Sequence, residues 1–195
     1  MELLVIRHAL PVRIATPDGS PADPPLSEAG RLQAERLATW LADDRLDAIY
    51  ASPMRRARET ATPLAVARGL EIGLDAGLVE LDHRADAYVP MEELKAENRE
   101  AWLALVQGGL YANIDVVAFR RGVVATFESI IRAHPGGRVA VVCHSGVINA
   151  WAAHVLGIEA PIFFDPDYTS IQRFLAAASG ERMVASLNER AHLRE

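Results

Sequence analysis

Arginine and histidine stand side by side at Arg7-His8, where the apolar run Leu3 to Ile6 ends, and a second apolar run, Val139 to Cys143, delivers His144. Between them, Met54-Arg-Arg-Ala-Arg-Glu-Thr60 sets arginines in the first turns of an expected helix that opens at Ser52-Pro53. A guanidinium makes planar, charge-assisted hydrogen bonds to phosphate oxygens, and a neutral imidazole is a nucleophile at physiological pH. Free amides at a helix N-terminus add further donors. Arg7, His8, Arg56 and His144, brought to one edge of a sheet, make a phosphoryl site.

Other nucleophiles fail on spacing. A cysteine-phosphatase loop needs arginine six positions after the cysteine, where Cys143 is followed by Asn149. A serine elbow needs glycine two residues before Ser145, where Cys143 stands. Cys143 therefore reads as a small buried strand residue and Ser145 as a helix cap. The chain holds no HExxH, no paired cysteines, no clustered aspartate ligands and no P-loop, so no metal and no cofactor is expected.

The elements that must position these residues follow from periodicity. Uninterrupted apolar residues, branched at Leu3–Ile6 and continuing from Val139 to Cys143 in the second run, suit strands buried on both faces, and ligands collect beyond the carboxyl ends of strands in open α/β sheets. Ser27 caps a helix in which Ala34, Leu37, Ala38 and Leu41 recur at helical spacing to about Ala42, and Leu46–Ala51 reads as a short strand. The helix from Ser52-Pro53 runs to Arg68 and stops at Gly69, and a short strand and loop fill Glu71–Asp82. One helix is expected from about Pro90 to Gly108-Gly109, with Leu94, Asn98, Ala101, Trp102 and Leu105 on its inner face, and another from Asp115 to Ala133. A helix follows His144 as far as Gly157, and two strands, Thr169–Ala177 and Met183–Asn188, turn at Ser179-Gly180. Alternating strands and helices imply an α/β fold: a three-layer sandwich whose central sheet is mostly parallel, with helices on both faces.

At 195 residues, 50% hydrophobic and 24% charged, the chain fits one globular domain, with residues 83–114 as a lid-like insertion over the pocket. A net charge of −6 gives no general attraction for nucleic acid or anionic lipid, so any bound anion must be held by a local cluster of cations. One cysteine forbids an intrachain disulfide, and neither a signal peptide nor a membrane span is visible; a cytoplasmic location is expected. The expected partner is a small phosphomonoester. Oligomeric state has no sequence signal, and a homodimer stays open.

Five segments, in order, carry a resemblance: Arg7-His8, Leu26-Ser-Glu-Ala-Gly30 with Gln33-Ala34, Ser52-Pro-Met-Arg-Arg56-Ala57 with Thr60-Ala61, Leu78-Val79-Glu80, and Val141-Val-Cys-His144-Ser-Gly146. Together they resemble the histidine phosphatase superfamily, the phosphoglycerate-mutase-like group, over nearly the whole chain. The resemblance implies a phosphohistidine mechanism with His8 as nucleophile, Arg7, Arg56 and His144 as the phosphate pocket and Glu80 as general acid, with Asp82 competing for that role. Two positions depart from the pattern: Ala9 stands where glycine is usual, and Pro11 where serine or threonine often makes a contact. Arg13 is the expected replacement for that contact. A phosphoglycerate-type mutase and a non-catalytic phospho-ligand module remain the alternatives to a phosphomonoesterase.

Overall fold

Strand β1 (Glu2–Arg7) explains the architecture, because every residue after Glu2 is buried while successive side chains point to opposite faces. The computed structural model describes residues 1–106 and 115–194. Leu3 and Val5 pack with Phe127 of α5 (Val116–Ala133) and Trp151 of α6 (Ser145–Leu156). Leu4 and Ile6 pack with Leu37 of α1 (Glu28–Trp40) and Leu64 of α2 (Arg55–Arg68). Strand β6 (Arg138–Cys143) divides its residues the same way, Val139, Val141 and Cys143 to one face and Ala140 and Val142 to the other. An unbroken apolar run is what a strand covered on both sides requires, and the result is the expected three-layer α/β sandwich.

The central sheet has six strands in the order β4 (Ile72–Leu74), β3 (Ala48–Ala51), β6, β1, β7 (Ile171–Ala176) and β8 (Arg182–Glu189). Strands β1, β6, β3 and β4 are parallel, and the hairpin β7 and β8 is antiparallel against β1. Arg7 pairs in register with Cys143, and Ala51 with Val142. The residues that follow Arg7 and Cys143, His8 and His144, therefore leave the sheet at one level, with Ser52 one residue short of it. No helix among the described residues is long and apolar enough to cross a membrane.

Several local expectations need correction. The helix after Pro90 is two helices, α3 (Met91–Glu97) and α4 (Arg99–Val106), because Asn98 leaves the helical region at φ −148° and its side-chain oxygen accepts from the Ala101 amide. An asparagine that can cap a new helix competes with continuing the old one. Asn98 is exposed rather than on an inner face. Helix α2 starts at Arg55 with Met54 as its N-cap, not at Ser52-Pro53, since the Ser52 amide is still held in the sheet by the Val142 carbonyl. The cap of α6 is His144, not Ser145. Strand β2 (Ile14–Ala15) and β5 (Ala87–Tyr88) form a separate two-stranded ladder, too short for any sequence period to reveal. Of the segment expected to cover the pocket, residues 107–114, including Gly108-Gly109, lie outside the described residues.

The segment Leu26–Gly30 is built against the loop that follows His8. The Ser27 side chain accepts from the Gly30 amide and donates to the Leu10 carbonyl, which also receives the Ser27 amide. A Cβ on Gly30 would collide with that same carbonyl oxygen, and backbone cannot step aside as a flexible side chain can. We expect Gly30→Ala to cost about 1–3 kcal/mol, as overpacking does. A denaturant midpoint unchanged from wild type would show that the contact is not tight.

Candidate active site

The site is assembled from the backbone outward. Beyond the end of β1, the Ala9 amide donates to Thr60 Oγ1 of α2 and the Leu10 amide to Gln33 Oε1 of α1, each at 2.9 Å. Two helices thus fix the turn that carries His8. Ala9 is fully buried beside Leu26 and Ala34, and it is not among the non-glycine residues with positive φ, so its methyl group brings no backbone strain. Pro11 pairs across from Leu26 in an isolated bridge.

The imidazoles and guanidinium groups do converge. His8 and His144, both buried, have ring centroids 5.0 Å apart. His8 Nδ1 lies 2.8 Å from the Ala9 carbonyl and can bond it only as a donor, which assigns the proton to Nδ1 and leaves the lone pair on Nε2. The Nε–H of Arg56 points at that lone pair from 3.3 Å. Arg7 and Arg56 are likewise buried. Burial, then the charges of Arg56 and Arg7, holds the His8 imidazole well below its ordinary pKa. Burial, Arg56 and His8 do the same for His144. Arg7 Nε, Arg56 Nη1 and both ring nitrogens of His144 are buried without a partner. Polar groups left unpaired in one place, beside two buried cations, define a socket for an oxyanion.

A carboxyl group faces the socket from the segment after β4. Glu80 accepts from the Leu81 amide at 2.9 Å and, at the start of α6, from the Gly146 amide at 2.8 Å. Those amides favour the ionised form, but burial and the nearby charge of Asp82 outweigh them, and the Glu80 pKa is pushed up to about 7. Any side chain at Gly146 would run into the Glu80 carboxylate, so glycine there makes room for it. Asp82 sits 3.2 Å from Arg56 Nη2 as its ion-pair partner.

The family profile described as histidine phosphatase superfamily (branch 1) matches residues 3–189. The chain belongs to the histidine phosphatase superfamily. It is 30% identical over 150 residues to phosphoserine phosphatase 1 of Hydrogenobacter thermophilus, covering 73% of this chain and 69% of the relative. Among solved structures it resembles YhfR of Bacillus stearothermophilus, with 25% identity, a TM-score of 0.78 and 99% of each chain covered. A phosphoserine phosphatase mutant of Entamoeba histolytica, crystallised with phosphoserine, shares the fold at 21% identity and a TM-score of 0.75, again over 99% of each chain.

As a phosphatase of this family, the protein has further supports around its site that carried no sequence signal. The Arg7 guanidinium lies 3.8 Å from the centroid of the Tyr168 ring and donates from Nη1 to the Pro166 carbonyl at 2.6 Å. The Tyr168 ring is in turn 5.6 Å from that of His8. Thr169, buried at φ +57°, gives its amide to the Arg7 carbonyl. Buried Asn149 holds the chain at Phe163–Phe164 through both ends of its amide. Pro166, Tyr168 and Thr169 precede β7, about twenty residues beyond the last motif, and Asn149 sits inside α6 one turn after it. Arg13 is not at the site: its guanidinium is half exposed and pairs with Glu97 at 2.8 Å, and it is not among the residues lining the cavity. The loop that follows Pro11 pairs with Pro25 and β5, which carries Arg13 toward α3 instead.

The cavity above the socket measures about 470 Å³ and reaches from Arg7, His8, Arg56 and Glu80 to Tyr88, Leu94 and Trp102. With Glu80 the acid, kcat/KM for an alkyl phosphate, corrected for the ionisation of the substrate itself, should fall as pH rises through about 7, where Glu80 loses its proton. The depressed pKa of His8 keeps its imidazole neutral, so no His8-dependent loss is expected near pH 6.5. Glu80→Gln should flatten the alkaline limb, and a limb that survives in that variant belongs to another group.

Proposed function

We propose that the protein is a metal-independent phosphomonoester hydrolase that works through a phosphohistidine on His8. The observation that carries this reading is the unprotonated Nε2 of His8, held by the Nδ1 contact to Ala9 and turned toward Arg56 within a cluster of unpaired buried donors. The Nε2 lone pair attacks phosphorus, forming an N–P bond as the ester P–O bond breaks. Arg7, Arg56 and His144 face the equatorial oxygens, where charge spreads in the transition state. Glu80 gives its proton to the departing alkoxide; water then attacks the phosphohistidine, Glu80 takes the proton back, and the N–P electron pair returns to His8. General acid–base help of this kind is typically worth ~10²- to 10⁴-fold. The relatives named as phosphatases support hydrolysis over transfer to a second hydroxyl.

Rapid quenching of the wild type should trap phosphate in an acid-labile, alkali-stable linkage that is lost in His8→Ala, while the variant still binds inorganic phosphate. An acid-stable phosphoenzyme would point to a hydroxyl nucleophile such as Ser145. Arg56→Ala should weaken both binding and turnover, because a guanidinium contacts the oxygens in ground and transition states alike. Since guanidinium groups supply the positive charge, EDTA should leave turnover unchanged.

The acid role is separable. Glu80→Gln should slow the phosphorylation of His8 by alkyl phosphates by at least ~10²-fold, and by p-nitrophenyl phosphate far less, because nitrophenolate leaves without a proton. Gly146→Ala should reproduce that pattern by displacing the carboxylate while unfolding at nearly the wild-type denaturant concentration. Equal losses with both substrates in single-turnover kinetics would remove Glu80 from the role, and the same leaving-group dependence in Asp82→Asn would move it there.

A further inference from the structure

The part of the cavity that would receive the alcohol moiety differs in chemistry from the socket. Its wall is supplied by Leu81, Val89, Leu94, Trp102, Ile162 and Phe164. The exposed polar residues His83, Arg84 and Asp86 of the covering segment do not line it. The lining cations are Arg7 and Arg56, and both are committed to the phosphate end. The lining carboxylates are Glu80, Asp82 and Asp165. A substrate bearing a second anionic group would thus meet three carboxylates and no free cation among the described lining residues. Lys95 is not a lining residue, and its ammonium stacks on the Trp102 ring at 4.7 Å.

The wall is also held in place before any ligand arrives. Asn149 Nδ2 donates to the Phe164 carbonyl at 3.1 Å, and Asn149 Oδ1 accepts from the Phe163 amide at 3.0 Å, so the Ile162–Phe164 strip is tied to α6. Across the cavity, Tyr88 lies in the β2–β5 ladder and its ring faces the Arg56 guanidinium at 4.7 Å. An apolar surface fixed in advance binds an apolar group without the cost of ordering it.

We propose that this cavity selects phosphomonoesters of uncharged, apolar alcohols, aryl-alkyl or medium-chain alkyl, and disfavours esters such as phosphoserine or 3-phosphoglycerate that carry a carboxylate beside the phosphate. The inference rests on the phosphatase reading above for turnover, but the wall makes its own claim about binding. Each methylene taken from water into such a wall is worth about fourfold in affinity. A carboxylate without a cation partner gains nothing there and loses hydration.

The test compares esters of primary alcohols, so that alkoxide departure is matched. 2-Phenylethyl phosphate and n-hexyl phosphate should exceed phosphoserine, glycerol 1-phosphate and phosphoethanolamine by at least ~10-fold in kcat/KM, with most of the difference in KM. Trp102→Ala and Phe164→Ser should each narrow the ratio between phenylethyl and methyl phosphate. Binding is measured in parallel by calorimetry on His8→Ala, with 2-phenylethylphosphonate against 2-amino-3-phosphonopropionate. Esters hydrolysed without apolar preference overturn the inference and leave the phosphatase reading standing. Phenylethylphosphonate bound preferentially, with no ester hydrolysed, supports the inference and overturns turnover. Phosphoserine or phosphoethanolamine as the better substrate overturns it in favour of a charged alcohol, and a ratio unmoved by both wall variants overturns the assignment of the wall.

Discussion

Two guanidinium groups buried beside two imidazoles forbid a further positive charge, and most of the site follows from that exclusion. Protonating His8 or His144 would place another cation next to Arg7 and Arg56 in a region already stripped of water, so both imidazoles stay neutral. Neutrality leaves His8 a free lone pair, which the proposed phosphohistidine step requires. The same cations remain short of partners, with Arg7 Nε and Arg56 Nη1 facing nothing, and an unsatisfied buried group costs about 1–3 kcal/mol. A phosphate bound there would relieve that cost, whereas the carboxylates near Arg7, Glu92 at 3.5 Å and Asp165 at 3.8 Å, are half or more exposed and poorly placed to do so.

A site held in this unfavourable state needs a rigid frame. The sheet supplies one part, since β1 and β6 end level and set His8 and His144 on adjacent strands. Helices α1 and α2 supply another by gripping the turn after His8 through Ser27, Gln33 and Thr60. Residues that resemble a signature in sequence thus have ordinary physical tasks: Gly30 keeps clear of a carbonyl, Thr60 receives an amide, and Gly146 leaves space for a carboxylate. Buried Cys143, whose thiol is pushed up by burial, packs in the core between the sheet and α6.

Glu80 shows how the frame sets a proton affinity. Two backbone amides alone would keep its carboxylate ionised, and the enclosing site together with Asp82 reverses the balance. An acid poised near 7 can give a proton in one half of the reaction and take one in the other.

The sequence by itself determined whatever depends on local pattern. Continuous apolar residues at Leu3–Ile6 and Val139–Cys143 suit strands covered on both faces, which indicated the layers and the strand ends where Arg7, His8 and His144 appear. Arg56 was legible because it stands in the first turn after a strand. Only the tertiary structure decided contacts across long separations. Tyr168 meets Arg7 because β7 pairs antiparallel to β1, and Asn149 shapes the cavity because the loop that follows α6 folds back on the helix. Arg13 was misassigned for the same reason: it was expected to replace the contact missing at Pro11, but the β2–β5 pairing turns it to Glu97. The apolar character of the cavity was hidden as well, since His83, Arg84 and Asp86 of the covering segment are exposed and the wall is gathered from three separate stretches of chain. Backbone period is a local property of the chain, whereas which side chains share a cavity depends on how the elements cross.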